Sequence, residues 1–410
     1  MAGTKLRVSG IGCGLVDSLY RLSFSEASFR PFLSKQKGDG GLNPGRLVFR
    51  EEFEAYCGAD FETALRQMVS DRLPLKVNIG GPSLVSMIHA SQLTEPGKCD
   101  YFIYGIRGND RDGNLIESLL GGTPLNTDNY LVTKHDTPRT VVLSDPGYDQ
   151  GNGERMFIHS MGAARDLSPE LLQDAFFESD IVVFGGTALV PGIHDHLTEL
   201  LRRSKESGCI TVVNTVYDFR NEKANPHLKW PLGKSDESYR FTDLLITDLE
   251  EALRLSGAMD LDGAMQFFRE QGTGAAVVTR GAASIRVFSR GTRFLEQADA
   301  ELPVSNAVSA ELKMGHEGDT TGCGDNFAGG ILASLVNQLF ESDRYPDLLE
   351  ACALGVVSGG TACFYVGGMF EEKEPGEKRK MIEPYYRLYL TQLENLGIGI
   401  PSGRKKLSDR

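Results

Sequence analysis

Short runs of unbroken apolar residues alternate with amphipathic stretches through the second half of the chain. "DIVVFGG" (180–186), "ITVVNTV" (210–216), "DLLITD" (243–248) and "AAVVTRG" (275–281) read as strands. "IHDHLTELLRRSKESG" (193–208), "LEEALRLSG" (249–257) and "GAMQFFREQG" (263–272) read as amphipathic helices. Continuous apolar strands alternating with such helices predict a parallel sheet covered on both faces. Two antiparallel-looking runs follow, "SIRVFSRG" (284–291) and "TRFLEQ" (292–297). Further on, Phe327, Ile331, Leu335 and Leu339 recur every four residues, which gives "ILASLVNQLF" (331–340) one buried helical face.

The first half is less regular. "LRVSGIG" (6–12) predicts a strand running into a glycine turn, and a helix is expected around "FETALRQMVSD" (61–71) inside a long polar segment, 19–76. Regular alternation resumes with helix "SLVSMIHASQL" (83–93), strand "YFIYGI" (101–106) and helix "GNLIESLL" (113–120). Three β-like runs, "NYLVTKHD" (129–136), "RTVVLSD" (139–145) and "ERMFIHS" (154–160), lack helices between them and are assigned to a small sheet outside the main layer. The expected fold is therefore α/β: a three-layer α/β/α domain with a mostly parallel central sheet, plus a small β-sheet lid. Residues 1–18, 77–129 and 161–400 are assigned to the large domain, 130–160 with part of 19–76 to the lid, and 401–410 to a frayed tail.

Composition narrows the partners. An apolar share of 40% over 410 residues suffices for a sizeable core. A net charge of −13 argues against nucleic acid or an anionic membrane as partner. A polyanionic ligand would have to be held locally, by oriented N–H groups and a metal. The seven cysteines (13, 57, 99, 209, 323, 352, 363) are scattered without a CxxC pair, which fits a reducing cytoplasm better than a disulfide framework. No signal-peptide pattern and no membrane-length apolar run is read, so the expectation is a cytoplasmic protein, monomer or homodimer, acting on a small molecule.

The stretch "GDTTGCGDNFAGG" (318–330) carries the chemistry. The first N–H groups of a helix have no intrahelical acceptor, and with the helix dipole they form an anion site that glycine lets a ligand approach closely. An Asp beside such a site is a liability for binding alone. It makes sense as the base that takes a proton from an attacking hydroxyl, while the N–H groups hold charge developing on the transferred group. The plainer alternative is a helix-capping role for Asp325.

The longer string D-T-T-G-C-G-D (319–325) resembles the D-T-x-G-A-G-D signature of the ribokinase/adenosine kinase (PfkB-type) carbohydrate kinase family, with Cys323 in place of alanine. "GIGCGLVD" (10–17), "NIGGPSLVSMIHASQL" (78–93), "GIRGNDRDG" (105–113), "GERMFIHSMGAARDLSPELL" (153–172), "LLITDLEEALRLSG" (244–257) and "VVTRGAASIRVF" (277–288) are similar to further family segments, in the family's order. The resemblance implies transfer of the γ-phosphoryl of ATP to a primary hydroxyl of a sugar or nucleoside under a closing lid. Asp325 would be the base, and Gly322, Cys323 and Gly324 the anion hole. Asp17, Gly80 and Gly81 would bind substrate, and Thr279 and Gly281 would line the nucleotide side. Asp248 and Glu251 would lie beside the nucleotide and organise Mg²⁺ through water. A monovalent cation, commonly K⁺, would sit against the loop around Asp319 and the segment 358–368.

Three departures from the family pattern bear on the substrate. Val85 stands where an asparagine is usual, so a sugar-hydroxyl contact is missing or is supplied by Asn78 or another residue. Asp248 replaces the asparagine of N-x-x-E, while Glu251 is kept. Segment 19–76 is longer than in compact ribokinases and closer to the adenosine kinase layout.

Several residues admit two readings. A dinucleotide-dependent oxidoreductase is disfavoured because Asp17 stands where G-x-G-x-x-G from Gly12 needs glycine. A non-catalytic sugar- or nucleoside-binding relative is disfavoured by the retained Asp325. At a helix N-terminus Cys323 could be a reactive, low-pKa thiol; the preferred reading is a small residue standing in for alanine. His89 and His159 read as packed side chains. Arg155 is either a phosphate-reaching cation or a surface residue beside Glu154.

Overall fold

Fourteen strands in two sheets are found in a computed structural model that describes residues 4–36, 38–151, 153–315 and 318–400. In chain order they are β1 (Leu6–Gly12), β2 (Leu15–Arg21), β3 (Leu47–Phe49), β4 (Lys76–Gly80), β5 (Cys99–Gly108), β6 (Tyr130–Thr133) and β7 (Arg139–Asp145). Then come β8 (Glu154–Ser160), β9 (Ile181–Gly185), β10 (Ile210–Asn214), β11 (Leu244–Asp248), β12 (Ala275–Thr279), β13 (Ile285–Ser289) and β14 (Gln297–Leu302). The helices used below are α1 (Arg50–Cys57), α2 (Phe61–Val69), α3 (Pro82–Leu93), α4 (Leu197–Glu206), α5 (Leu249–Ser256), α6 (Leu261–Glu270), α7 (Cys323–Glu341), α8 (Leu348–Thr361) and α9 (Glu377–Asn395). The tail expected at 401–410 lies outside the described residues.

The large sheet runs β14-β13-β12-β11-β10-β9-β1-β5-β6 and is parallel except at β13. Its central strands are buried on both faces, as their unbroken apolar runs require. Val183, Val212, Ile246 and Val277 point to a core shared with α3, α7, α8 and α9. Their neighbours Val182, Val213, Leu245 and Val278 point to a second core built with α4, α5 and α6. Period-2 alternation thus supplies both interfaces of a three-layer α/β/α domain.

The small sheet runs β3-β8-β7-β2-β4. On one face Val141, Leu143, Met156 and Ile158 pack against Phe53 of α1 and Phe61, Leu65 and Met68 of α2. The alternate residues Thr140, Val142 and Phe157 face a cavity over the large sheet. Each fully buried phenylalanine on this cover contributes roughly 1.5–3 kcal/mol. Segment 19–76 therefore supplies the outer layer over the small sheet, and its two helices explain its length.

Strand membership departs from the expected partition at three places. β2 (residues 15–21) and β4 (76–80) belong to the small sheet, whereas β6 (130–133) closes the large one. The ring of Tyr130 lies where a side chain on Gly105 would stand, 2.2 Å from that Cβ position, and this close fit docks β6 beside β5. The run at 292–297 also shifts. Gly291 turns the chain with φ +76°, Phe294 folds back into the core, and β14 begins only at Gln297.

Candidate active site

The start of α7 is fixed from behind by a buried polar network. Gly322 caps the helix with φ +74°, a left-handed conformation that suits glycine. A Cβ there would lie 2.5 Å from Gly368 Cα, so no side chain fits. Asn326 Nδ2 donates to Gly322 O and to Gly368 O, each at 2.8 Å, tying the turn to the 366–369 loop. Its Oδ1 accepts from Lys378 Nζ at 2.9 Å and from the Tyr365 hydroxyl at 3.0 Å. Lys378 is only 1% exposed, and burial pushes its ammonium well below the usual lysine range. The α7 N–H groups consequently meet the cavity from a braced frame.

The cavity has a volume of about 330 Å³ and lies between the small sheet and the C-terminal ends of the parallel strands. This is where ligands collect in open α/β sheets. Asp325 and Gly324 reach it from α7, Asp17 from β2, and Gly81 from the start of α3. Asn214, Asp248 and Thr279, the last residues of β10, β11 and β12, line it with Thr215, Thr247 and Glu251.

Four acidic side chains, Asp17, Asp248, Glu251 and Asp325, set its electrostatics. Desolvation raises Asp325 to about 7. Asp17 is pushed up to about 8, first by burial and then by the charges of Asp325 and Asp319, with Arg155 opposing. Gly80 makes room for Asp17: a Cβ there would stand 2.0 Å from Asp17 Oδ2. Gly81, at φ +94°, brings the backbone against Cys13 and opens α3. Also in the lining, the Asp248 carboxylate caps α5 by accepting from Glu251 N–H at 2.8 Å. The Glu251 carboxylate accepts from the hydroxyls of Thr215 and of Thr247, the latter at 3.3 Å. Burial, and next the Asp248 charge, raise the Glu251 carboxyl.

Other sequence candidates fall elsewhere. Asn78 is buried behind the site, its Nδ2 donating to Met369 O at 2.8 Å and its Oδ1 accepting from Ile79 N–H, and it does not line the cavity. Val85 packs in the core beside Gly368. Gly281 follows Thr279 by two residues with open space around it and does not line the cavity. Gly322 and Cys323 stand immediately before the lining residue Gly324. His89 and His159 are buried away from the cavity, and His159 Nδ1 pairs with Thr140 Oγ1 at 3.0 Å. Arg155 reaches across from β8, its Nη1 donating to Thr321 Oγ1 at 3.2 Å. This cation of the small sheet thus touches the glycine-rich loop.

Cys323 does not show the lowered thiol pKa of the less favoured reading. Its Sγ lies 3.3 Å from Cys363 Sγ. Sharing its proton with Cys363, and burial, raise Cys323, while the same hydrogen bond lowers Cys363. Asp319 Oδ1 accepts from Thr321 N–H at 2.9 Å, and its buried Oδ2 has no hydrogen-bond partner.

The sequence model of the pfkB family of carbohydrate kinases matches residues 75–374. The chain belongs to this family. It is a phosphotransferase with an alcohol acceptor, a sugar or nucleoside kinase. That membership sets aside the oxidoreductase alternative. The fold agrees. An adenosine kinase from Sinorhizobium meliloti is 20% identical with a TM-score of 0.67, the match covering 92% of this chain and 99% of that one. Adenosine kinase from Schistosoma mansoni in complex with 2-fluoroadenosine is 16% identical with a TM-score of 0.64, covering 89% and 97%. Ribokinase from Thermotoga maritima is 16% identical with a TM-score of 0.58, covering 93% and 99%. A search of curated proteins gave no match. Among the described residues no helix is long and apolar enough to cross a membrane.

The network of Asn326, Tyr365 and Lys378 behind this pfkB site is not legible in the sequence. Asn326 directly follows the signature aspartate, which is the one local hint. Nothing marks a lysine fifty-two positions later as its partner.

Proposed function

We propose that this pfkB kinase transfers the γ-phosphoryl of ATP to a primary hydroxyl of a nucleoside or sugar, with Asp325 as general base. One observation carries this reading: a carboxyl raised to about 7 stands in a cavity beside the N-terminus of a helix. A carboxylate of that basicity can take a hydroxyl proton at neutral pH. The N–H groups of Gly322, Cys323 and Gly324 would hold the phosphoryl oxygens, with Arg155 adding a positive charge from the lid. Asp17, with the Gly81 backbone, would orient the acceptor. Thr279, Asp248 and Glu251 would form the nucleotide side. The domain partition follows the same logic, with the small sheet and α1–α2 as the cover that excludes water from transfer.

Two carboxylates on one cavity wall fit Mg²⁺ delivered with nucleotide phosphates, because this ion keeps most of its waters and takes few protein ligands. Asp248 and Glu251 would hold it, and it would offset phosphate charge. The partnerless Asp319 Oδ2 fits a monovalent cation.

The acceptor end favours a nucleoside over a bare sugar. Leu15, Leu47, Val142 and Phe157 give this side of the cavity an apolar wall that suits a base. The neighbours named as adenosine kinases point the same way. Screening adenosine, other nucleosides, ribose and fructose for acceptor-dependent ADP production tests the reading. Production with a nucleoside alone supports it, production with a bare sugar alone removes the base-binding wall, and none with any hydroxyl acceptor removes the transfer itself.

Assayed at pH 9, where a carboxyl raised to about 8 is ionised, Asp17→Asn should raise KM for the acceptor by about 10–100-fold, the worth of a hydrogen bond to a charged group. Nucleotide affinity should hold. Steady-state kinetics with each substrate varied would expose the error if the nucleotide KM moved instead.

A further inference from the structure

Cys323 and Cys363 come together across forty residues of sequence, at the mouth of the proposed anion hole. Cys323 is the first residue of α7, between Gly322 and Gly324. Cys363 sits in the short turn Ala362–Phe364 that follows α8. That turn rests on the loop leading into the signature: a Cβ on Gly318 would stand 2.0 Å from Cys363 O, and Asp319 N–H donates to Tyr365 O at 3.3 Å. Both thiols are partly exposed, whereas Cys13, Cys209 and Cys352 are buried. Their sulfurs are separated by 3.3 Å. An S–S bond spans about 2.05 Å, so a shift of a little over 1 Å joins them.

We propose that Cys323 and Cys363 form a redox-modification site, which hydrogen peroxide converts to a disulfide and which thereby stops phosphoryl transfer. One thiol, losing its proton, attacks a peroxide oxygen. The O–O bond breaks, a sulfenic acid forms, and the second oxygen leaves as water with that proton. The other sulfur then attacks the sulfenic sulfur, the S–O bond breaks, and its hydroxyl leaves as a second water with the second thiol proton. Two thiols give up two electrons and two protons, and the peroxide accepts both. A dithiol reductant reverses the link by exchange.

The mechanical consequence follows from position. Closing the sulfurs would move the Cα of Cys323, and with it the N–H groups of Cys323 and Gly324, relative to Asp325. Misplacing a reacting group by about 1 Å can cost 10²-fold in rate. The link stands apart from the kinase reading; the loss of turnover rests on it.

The test uses the full chain treated with a modest excess of hydrogen peroxide, then alkylated and mapped by peptide mass with and without dithiothreitol. The expected result is loss of two of the seven thiols, one peptide joining 323 to 363, and full recovery on reduction. ADP production should fall at least about tenfold in the oxidised sample and return on reduction. Cys363→Ala, treated alike, should form no such peptide and keep its own untreated rate. Free thiols at both positions, separate sulfinic or sulfonic acids, or links to other cysteines would overturn the site. A 323–363 link with undiminished turnover would overturn the switch. Peptide masses need no substrate, so a reduced sample inactive on every acceptor would count against the kinase reading while the link stayed readable.

Discussion

Asp325→Asn should leave a folded protein that binds nucleotide but transfers phosphoryl about 10³-fold more slowly, within the range general-base removal produces. Asparagine matches the shape of the carboxyl yet cannot accept the hydroxyl proton. The pH dependence gives a second readout. A general base works ionised, and burial holds the Asp325 carboxyl at about 7. In the wild type kcat/KM should therefore rise about tenfold per unit as pH climbs toward that value, then level off; the variant's residual rate should lack this limb. Stability should move the opposite way. A carboxyl raised in the folded state is protonated in both folded and unfolded chains below pH about 4, and there costs nothing. Between that pH and about 7 the fold progressively bears the cost of a desolvated charge. The Asn variant should therefore melt a few degrees above wild type at pH 8 and equal to it near pH 4. Thermal melts at both values, with ADP release, decide the matter: unchanged turnover together with a pH-independent melting difference would take Asp325 out of the chemistry.

The same site shows how far a sequence can be read. The parallel sheet is legible because β9 to β12 are apolar on both faces, a pattern set by burial alone. The start of α7 is legible because glycines beside a lone carboxylate conflict with simple helix formation, and such conflicts mark function. Side-chain direction is harder to see. Asn78 shares a strand and a face with Gly80 and is paired with Asp17, yet its amide is spent on the carbonyl of Met369, a partner far along the chain that no local signal marks. Tyr130 reads as lid because no helix separates its run from β7, yet its fit on Gly105 draws it to the large sheet. Cys323 reads as a small residue in place of alanine, because its partner forty residues away carries no local signal. Arg155 is ambiguous in the sequence for the same reason: only folding brings it to Thr321.

Two glycines one residue apart should separate stability from catalysis. Gly322→Ala places a methyl 2.5 Å from Gly368 Cα on a backbone at φ +74°. A left-handed alanine alone costs about 1–2 kcal/mol, and the clash with a backbone atom adds to it. Because Asn326 ties both Gly322 O and Gly368 O, the turn cannot give way without loosening the frame of α7. This variant should lose stability and activity together. Gly324 differs. It lies in the first turn of α7, exposed to the cavity, with nothing within 4 Å of an added Cβ. Gly324→Ala should fold normally and gain roughly 0.5–1 kcal/mol, the usual difference between the two residues inside a helix. Yet its methyl would stand where the transferred phosphoryl must approach the N–H groups. A fall in kcat/KM of about 10²–10³, comparable to losing an oxyanion donor, is expected with a melting temperature at or above wild type. Paired melts and steady-state rates on the two variants measure both effects. If Gly324→Ala kept full turnover, the phosphoryl group could not be resting on this turn, and the anion hole would have to be sought elsewhere on the cavity wall.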